Sequence, residues 1–366
     1  MTDGSRFLYV TPPDTGPAAR RYFHGGPRYQ HVAEESLSPY GTVETLDWHP
    51  DDPAEVRAAA LDAKLGEVDA LVACPWLYLG DVANFDADRL GRASQLKVIA
   101  GTFDYRLEWL DVDAADRCGV TVSDTSRTMT PTVAEFGVAI TLALLRDIPA
   151  AIDLVRAGRW FDAAKTGSKY VFRDFADCRI GLAGYGSINR HYRRFVSGFG
   201  CPVSAFDPLL DDEGAHAGGV TRAQSLVELA QQSDILVVAI PPTPSTLGVI
   251  DARVIDALAP GSLFILLSRM TVVEQEALWR RVRAEEIRAA TDVFEPEPPP
   301  GDAWFRGAAN VLPTPHIAGN VPFAHERCLT EACADAVRVL AGDAPLHAAT
   351  VRDKAMYEGK LPAAAG

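Results

Sequence analysis

The chain has 366 residues, 48% of them hydrophobic, which is enough apolar material for two ordinary domains. Its net charge of −14 excludes the broad basic field by which proteins hold nucleic acids or anionic membrane surfaces, so a small anion must be met by local cations. Residues 1–20 lack the basic patch and apolar run of a secretory leader, and the apolar run from Val133 to Leu145 is closed by Arg146 and Asp147 short of a bilayer span. The expectation is a soluble, cytoplasmic protein with neither nucleic acid nor membrane as partner.

Short runs of Val, Ile and Leu alternate with longer amphipathic stretches, the pattern of parallel sheets wound with helices. Five strands are predicted first: Phe7 to Val10, Thr42 to Leu46, Ala70 to Cys74, Lys97 to Ala100 and Thr121 to Ser123. An apolar helix, Thr132 to Arg146, follows Pro131, a favoured first-turn residue, and connects the two halves. Six more strands follow: Arg179 to Ala183, Val203 to Phe206, Ile235 to Ile240, Ser262 to Leu267, Ala289 to Phe294 and Val311 to Thr314. Pro296 to Pro300 reads as a rigid, extended loop. A last amphipathic helix, Pro322 to Leu340, is too small to stand alone and is expected to return to the first sheet.

The fold class is therefore α/β, with two Rossmann-like or flavodoxin-like domains built on parallel sheets. The first is discontinuous, residues 1–127 plus 321–366, and the second is residues 128–320. The six cysteines form no Cys-x-x-Cys pair and have no histidine at ligand spacing, so buried thiols are expected and no metal site. Cys328 and Cys333, five apart, should fall on different faces of their helix.

Gly184-Tyr185-Gly186-Ser187-Ile188-Asn189 follows a strand and opens a helix, the context a dinucleotide fingerprint requires. Gly184 makes the tight turn, and Gly186 removes a side chain that would block phosphates at the positive helix end. Asn189 stands where the third glycine, the one for close helix packing, is usual. Asp207 ends the next strand and is placed to accept hydrogen bonds from ribose hydroxyls. A carboxylate there repels a 2′-phosphate, and Leu209, Leu210, Asp211 and Asp212 offer no arginine, so NAD is expected over NADP.

Three further segments fall at strand ends of the second sheet, the edge where doubly wound folds bind ligands. Ser268-Arg269 supplies a guanidinium that can hold a carboxylate bidentately and polarise a carbonyl. Asp292-Val-Phe-Glu295-Pro-Glu297-Pro supplies carboxylates. Thr314-Pro-His316-Ile-Ala-Gly319 supplies an imidazole, the side chain suited to moving protons near neutral pH.

In these motifs, and in Pro241-x-Thr-Pro-x-Thr246, the chain resembles the D-isomer-specific 2-hydroxyacid dehydrogenases over about residues 95–345. The resemblance implies a catalytic set in which Arg269 binds the substrate carboxylate and keto oxygen, His316 is the acid/base and Glu297 pairs with it, with Glu295 as the alternative partner. It implies NAD held by Gly184, Tyr185, Gly186, Ser187, Ile188, Asp207, Pro241, Thr246, Ser268, Asp292, His316 and Gly319, with Asp292 near the nicotinamide amide. It also implies a first domain that binds a small 2-hydroxy or 2-keto acid, and a homodimer formed through helix Thr132 to Arg146 and its neighbours on the second domain.

The chain departs from that family after its fourth strand, where a glycine-rich loop usually cradles the substrate carboxylate. Thr102, Phe103, Tyr105 and Arg106 stand there, and Trp76 and Tyr78 follow Cys74. These residues either line a pocket for a larger substrate, with Arg106 on a second anionic group, or Phe103 and Trp109 are core residues. Met270 also replaces the glycine that commonly follows the arginine. The fold admits an NAD(H)-sensing corepressor and dehydrogenases of other small anions, formate or phosphite. Glu297, where formate dehydrogenases usually carry glutamine, favours proton transfer to a carbonyl oxygen.

Overall fold

A computed structural model describes residues 4–12, 28–49, 51–75, 77, 79–80, 83–103, 109–160 and 173–349. They fall into two compact units, one within Met1–Met129 and Asn320–Leu361, the other within Thr130–Gly319.

The first unit is built on five parallel strands: β1 (Ser5–Thr11), β2 (Gly41–Asp47), β3 (Ala70–Ala73), β4 (Val98–Gly101) and β5 (Thr121–Asp124). Their order, β2-β1-β3-β4-β5, is the flavodoxin-like doubly wound order. β1, β3 and β4 are buried along nearly their whole length, which is why they read as unbroken apolar runs. Helix Pro322–Leu340 completes this unit by burying Leu329, Ala332, Cys333 and Ala336 in its core. On the same helix Asp335, fully buried, accepts hydrogen bonds from Ser123 Oγ at 2.7 Å and from the amides of Leu346 and His347. Ala348 is thereby laid antiparallel against Ser123 at the β5 edge.

The second unit carries seven parallel strands: β6 (Ile180–Ala183), β7 (Val203–Phe206), β8 (Thr221–Arg222), β9 (Ile235–Val238), β10 (Leu263–Leu266), β11 (Arg288–Thr291) and β12 (Val311–Pro313). Their order is β12-β11-β10-β9-β6-β7-β8, the Rossmann order extended by one strand, with the crossover between β6 and β9. β8 is the strand the sequence pattern did not show, because it is two exposed residues paired with Ser204 and Ala205. Residues 295–298 bend rather than run extended, and the Glu295–Pro296 and Glu297–Pro298 bonds are cis.

The 3₁₀ turn Thr125–Met129 and helix Thr130–Leu145 make one 21-residue run, long and apolar enough by length and composition alone to cross a membrane, more than the break at Arg146 suggested. Its Ala134, Ile140, Leu144 and Leu145 belong to the core of the second unit. Five cysteines are buried as expected, but Cys118 is exposed. Cys328 and Cys333 are both fully buried despite their spacing, because this helix is covered on more than one side. Burial pushes both thiols up to about 12, so they are inert.

Candidate active site

The dinucleotide turn lies between β6 and helix Ser187–Val196. Gly184 has φ +78, and a β-carbon there would come within 3.0 Å of Ala239 O, so only glycine fits. A β-carbon on Gly186 would meet nothing within 4 Å, so open space lies over the turn at the helix N-terminus. Asn189 explains the missing third glycine. It is fully buried, and its Nδ2 donates to Gly184 O at 2.6 Å and Ala183 O at 3.2 Å, so the side chain clips the helix to the strand end by hydrogen bonds.

Asp207 stands at the end of β7 with one oxygen accepting from Tyr185 N at 2.8 Å and the other from Leu209 N at 2.8 Å. Each oxygen keeps a lone pair for a ribose hydroxyl, but the carboxylate also fixes the turn itself. The Tyr185 ring is turned away toward Gly218 O, and burial raises its phenol above the ordinary range. Ser187 Oγ is 2.8 Å from Thr130 Oγ1, and Ile188 is half-buried. Across β9, Thr246 Oγ1 donates to Pro241 O at 2.6 Å and closes that loop.

The remaining predicted residues gather at the carboxyl ends of three adjacent strands. Arg269 follows β10, half-buried, with Nη1 donating to Ser268 O at 2.8 Å. Ser268 Oγ is buried without a hydrogen-bond partner among the described residues. Asp292, immediately after β11, is almost fully buried, and its two oxygens accept the amides of Ile317 at 3.0 Å and Ala318 at 2.7 Å. Asp292 thereby clamps the chain just after His316, on the way to the half-buried Gly319, and each of its oxygens keeps a lone pair for the expected nicotinamide amide.

That clamp matters because His316 has φ +54, a left-handed conformation that a non-glycine residue keeps only where its surroundings impose it. His316 N also donates to Thr314 O at 3.1 Å. The ring is fixed by Glu297, whose Oε1 lies 3.0 Å from His316 Nδ1. With Nδ1–H donated to the carboxylate, Nε2 is the ring nitrogen left with a free lone pair. Glu295 is exposed.

In the first unit Thr102 is buried, with its hydroxyl 3.0 Å from Thr125 Oγ1. Phe103 does not line a pocket: it is 5% exposed and packs edge-on against Trp109, so the core reading of this aromatic pair holds. Its N–H donates to buried Asp124 at 3.0 Å, which removes one main-chain donor from any carboxylate cradle here. Trp76, Tyr78, Tyr105 and Arg106 lie outside the described residues. Among the described residues no cluster could hold a metal ion.

Residues for NAD are thus in place: an open glycine turn, an acidic β7 end and an orphaned buried hydroxyl at the β10 end. Fold and site together define a dinucleotide-binding α/β protein. Residues 138–318 match the family described as D-isomer specific 2-hydroxyacid dehydrogenase, NAD binding domain. Hydroxyphenylpyruvate reductase of Plectranthus scutellarioides is 33% identical over 236 residues, 64% of this chain and 72% of that protein. D-3-phosphoglycerate dehydrogenase of Mycobacterium tuberculosis H37Rv is 30% identical over 282 residues, and this chain spans only 51% of its length. D-mandelate dehydrogenase of Rhodotorula graminis, at 23% identity, shares the fold with a TM-score of 0.77 over 94% of this chain and 98% of that one. The chain belongs to the D-isomer-specific 2-hydroxyacid dehydrogenase family and carries its NAD-binding domain.

Proposed function

We propose that this protein is an NAD-dependent oxidoreductase that interconverts a small 2-hydroxy acid and its 2-keto acid. The observation that carries the reading is the His316–Glu297 pair at 3.0 Å, one strand end away from the Arg269 segment. NAD supplies or accepts the hydride when bound. Arg269 would hold the substrate carboxylate and the carbonyl oxygen, and stabilise the charge that develops on that oxygen. His316 Nε2 would deliver the proton to the same oxygen in reduction and remove it in oxidation, while Glu297 favours the imidazolium. A carboxylate at position 297 supports this proton chemistry over a formate-type reaction.

We propose further that the protein is a cytoplasmic homodimer. Support for the dimer lies on helix Ile148–Arg156, the neighbour of the Thr132 to Arg146 helix: Ile148, Ile152 and Val155 are about half exposed at helical spacing on one face.

The test is NADH oxidation with a panel of 2-keto acids. Turnover of at least one, cut about a hundredfold or more in His316→Ala and Arg269→Ala with NADH binding retained, supports the proposal. No turnover across the panel, or near-normal rates in both variants, removes it.

A further inference from the structure

Arg190 belongs to the first turn of helix Ser187–Val196, a helix with no acidic residue in that turn and no side-chain cap. A cation is disfavoured at this end of a helix, where the exposed amides are already positive. No carboxylate pairs with it: among the described residues the only hydrogen-bond and ring partner of the Arg190 side chain is Tyr185. Its Nε donates to Tyr185 O at 2.9 Å, and its guanidinium carbon lies 5.0 Å from the centre of the Tyr185 ring. The next arginines of the helix are employed elsewhere, Arg193 on Gly219 O and Arg194 over Phe195.

Tyr185 is thus bracketed, its N–H held by Asp207 and its C=O by Arg190. Both contacts bear on the binding of an anion. The bond to Asp207 removes one amide that the glycine turn would otherwise offer a phosphate. The bond from Arg190 spends only Nε, which leaves Nη1 and Nη2 without a hydrogen-bond partner among the described residues, a fork of the kind that grips a phosphate. The space above Gly186 is open, and a chain of net charge −14 needs a local cation wherever it holds a dianion.

We propose that Arg190 is a direct ligand of the cofactor's pyrophosphate, replacing the amide committed to Asp207. The assignment rests on the reading of this turn as the NAD site. The experiment is a fluorescence titration of wild type, Arg190→Gln and Arg190→Lys with NADH, NADPH and adenosine at two salt concentrations. Loss of one charge-assisted contact predicts a Kd for NADH about tenfold or more higher in Arg190→Gln, with a weaker salt dependence. Adenosine, which has no phosphate, should bind all three proteins alike. Arg190→Lys, which keeps the charge without the fork, should fall between the other two and serves alone if the glutamine variant does not fold.

Equal NADH affinity in wild type and variants overturns the assignment and leaves the NAD site standing. A loss seen with NADPH alone overturns it in favour of a 2′-phosphate contact. Wild-type protein that binds no NADH removes the NAD site and the assignment with it.

Discussion

His316 Nδ1 and Glu297 Oε1 lie 3.0 Å apart, and the histidine that makes this bond has a left-handed backbone. Ring and main chain are held by different carboxylates: Glu297 fixes the ring, and Asp292 fixes the two amides that follow. The two can be separated by mutation.

Glu297→Gln should lower kcat by about tenfold to a hundredfold, because a neutral amide no longer stabilises the imidazolium that exchanges the proton. Glu295→Gln, at an exposed position, should stay within about twofold, since surface changes of this kind are near neutral. Steady-state rates with the best keto acid decide it, and equal losses in the two variants would show that the carboxylate at 297 has no special role.

Asp292→Ala should damage turnover and stability together. It orphans two amide donors beside a buried carboxylate position, at about 1–3 kcal/mol each, and frees His316 to leave its strained conformation. A lowered Tm with kcat down about tenfold or more is the expected pattern. A variant with normal kcat would refute the clamp.

Asp234 gives a pH dependence. Burial alone would raise its carboxyl, but hydrogen bonds from the Arg179 side chain and backbone, and from Arg173, bring it down to about 2. A carboxylate lowered on folding contributes stability above its ordinary range near pH 4, and that contribution is lost as pH falls toward 2. Urea midpoints of wild type and Asp234→Asn should therefore differ at pH 7 and converge between about pH 4 and 2. A difference that stays constant across that window contradicts the assignment.

Ile152→Glu tests the assembly. A charge placed in the exposed Ile148, Ile152 and Val155 face should convert the proposed dimer to a monomer in light scattering, with the fold retained by circular dichroism. An unchanged mass in the variant would place the contact elsewhere.

Much of this molecule was legible in advance because its signals are local. β1, β3, β9 and β10 are buried on both faces and read as plain apolar runs, and the glycine turn, Arg269, Glu297 and His316 all sit where a strand stops. What stayed hidden depends on contacts across the fold. Asn189 looks like a defect in a glycine motif until its amide is seen on Gly184 O. Asp292 reads only as a ligand contact in the sequence, and its second task, holding the amides of a loop 25 residues away, shows only in the fold. Phe103 follows a substrate-loop pattern, yet the choice between pocket and core was made by Trp109, whose own burial no spacing reveals. Two-residue β8 was invisible because its pairing, not its composition, makes it a strand.

Helix Pro322–Leu340 has a consequence for the order in which the chain matures on the ribosome. The first unit draws Leu329, Ala332, Cys333 and Ala336 from this helix, and Ser123 meets Asp335 across 212 residues of sequence. Among the described residues the second unit lies wholly within Thr130–Gly319. Translation therefore releases all the described strands of the nucleotide-binding half while the segment made before it still lacks part of its core. The amino-terminal sheet must wait, half-covered, for the last helix to emerge, and until then it is the part of the nascent chain most exposed to proteases and chaperones.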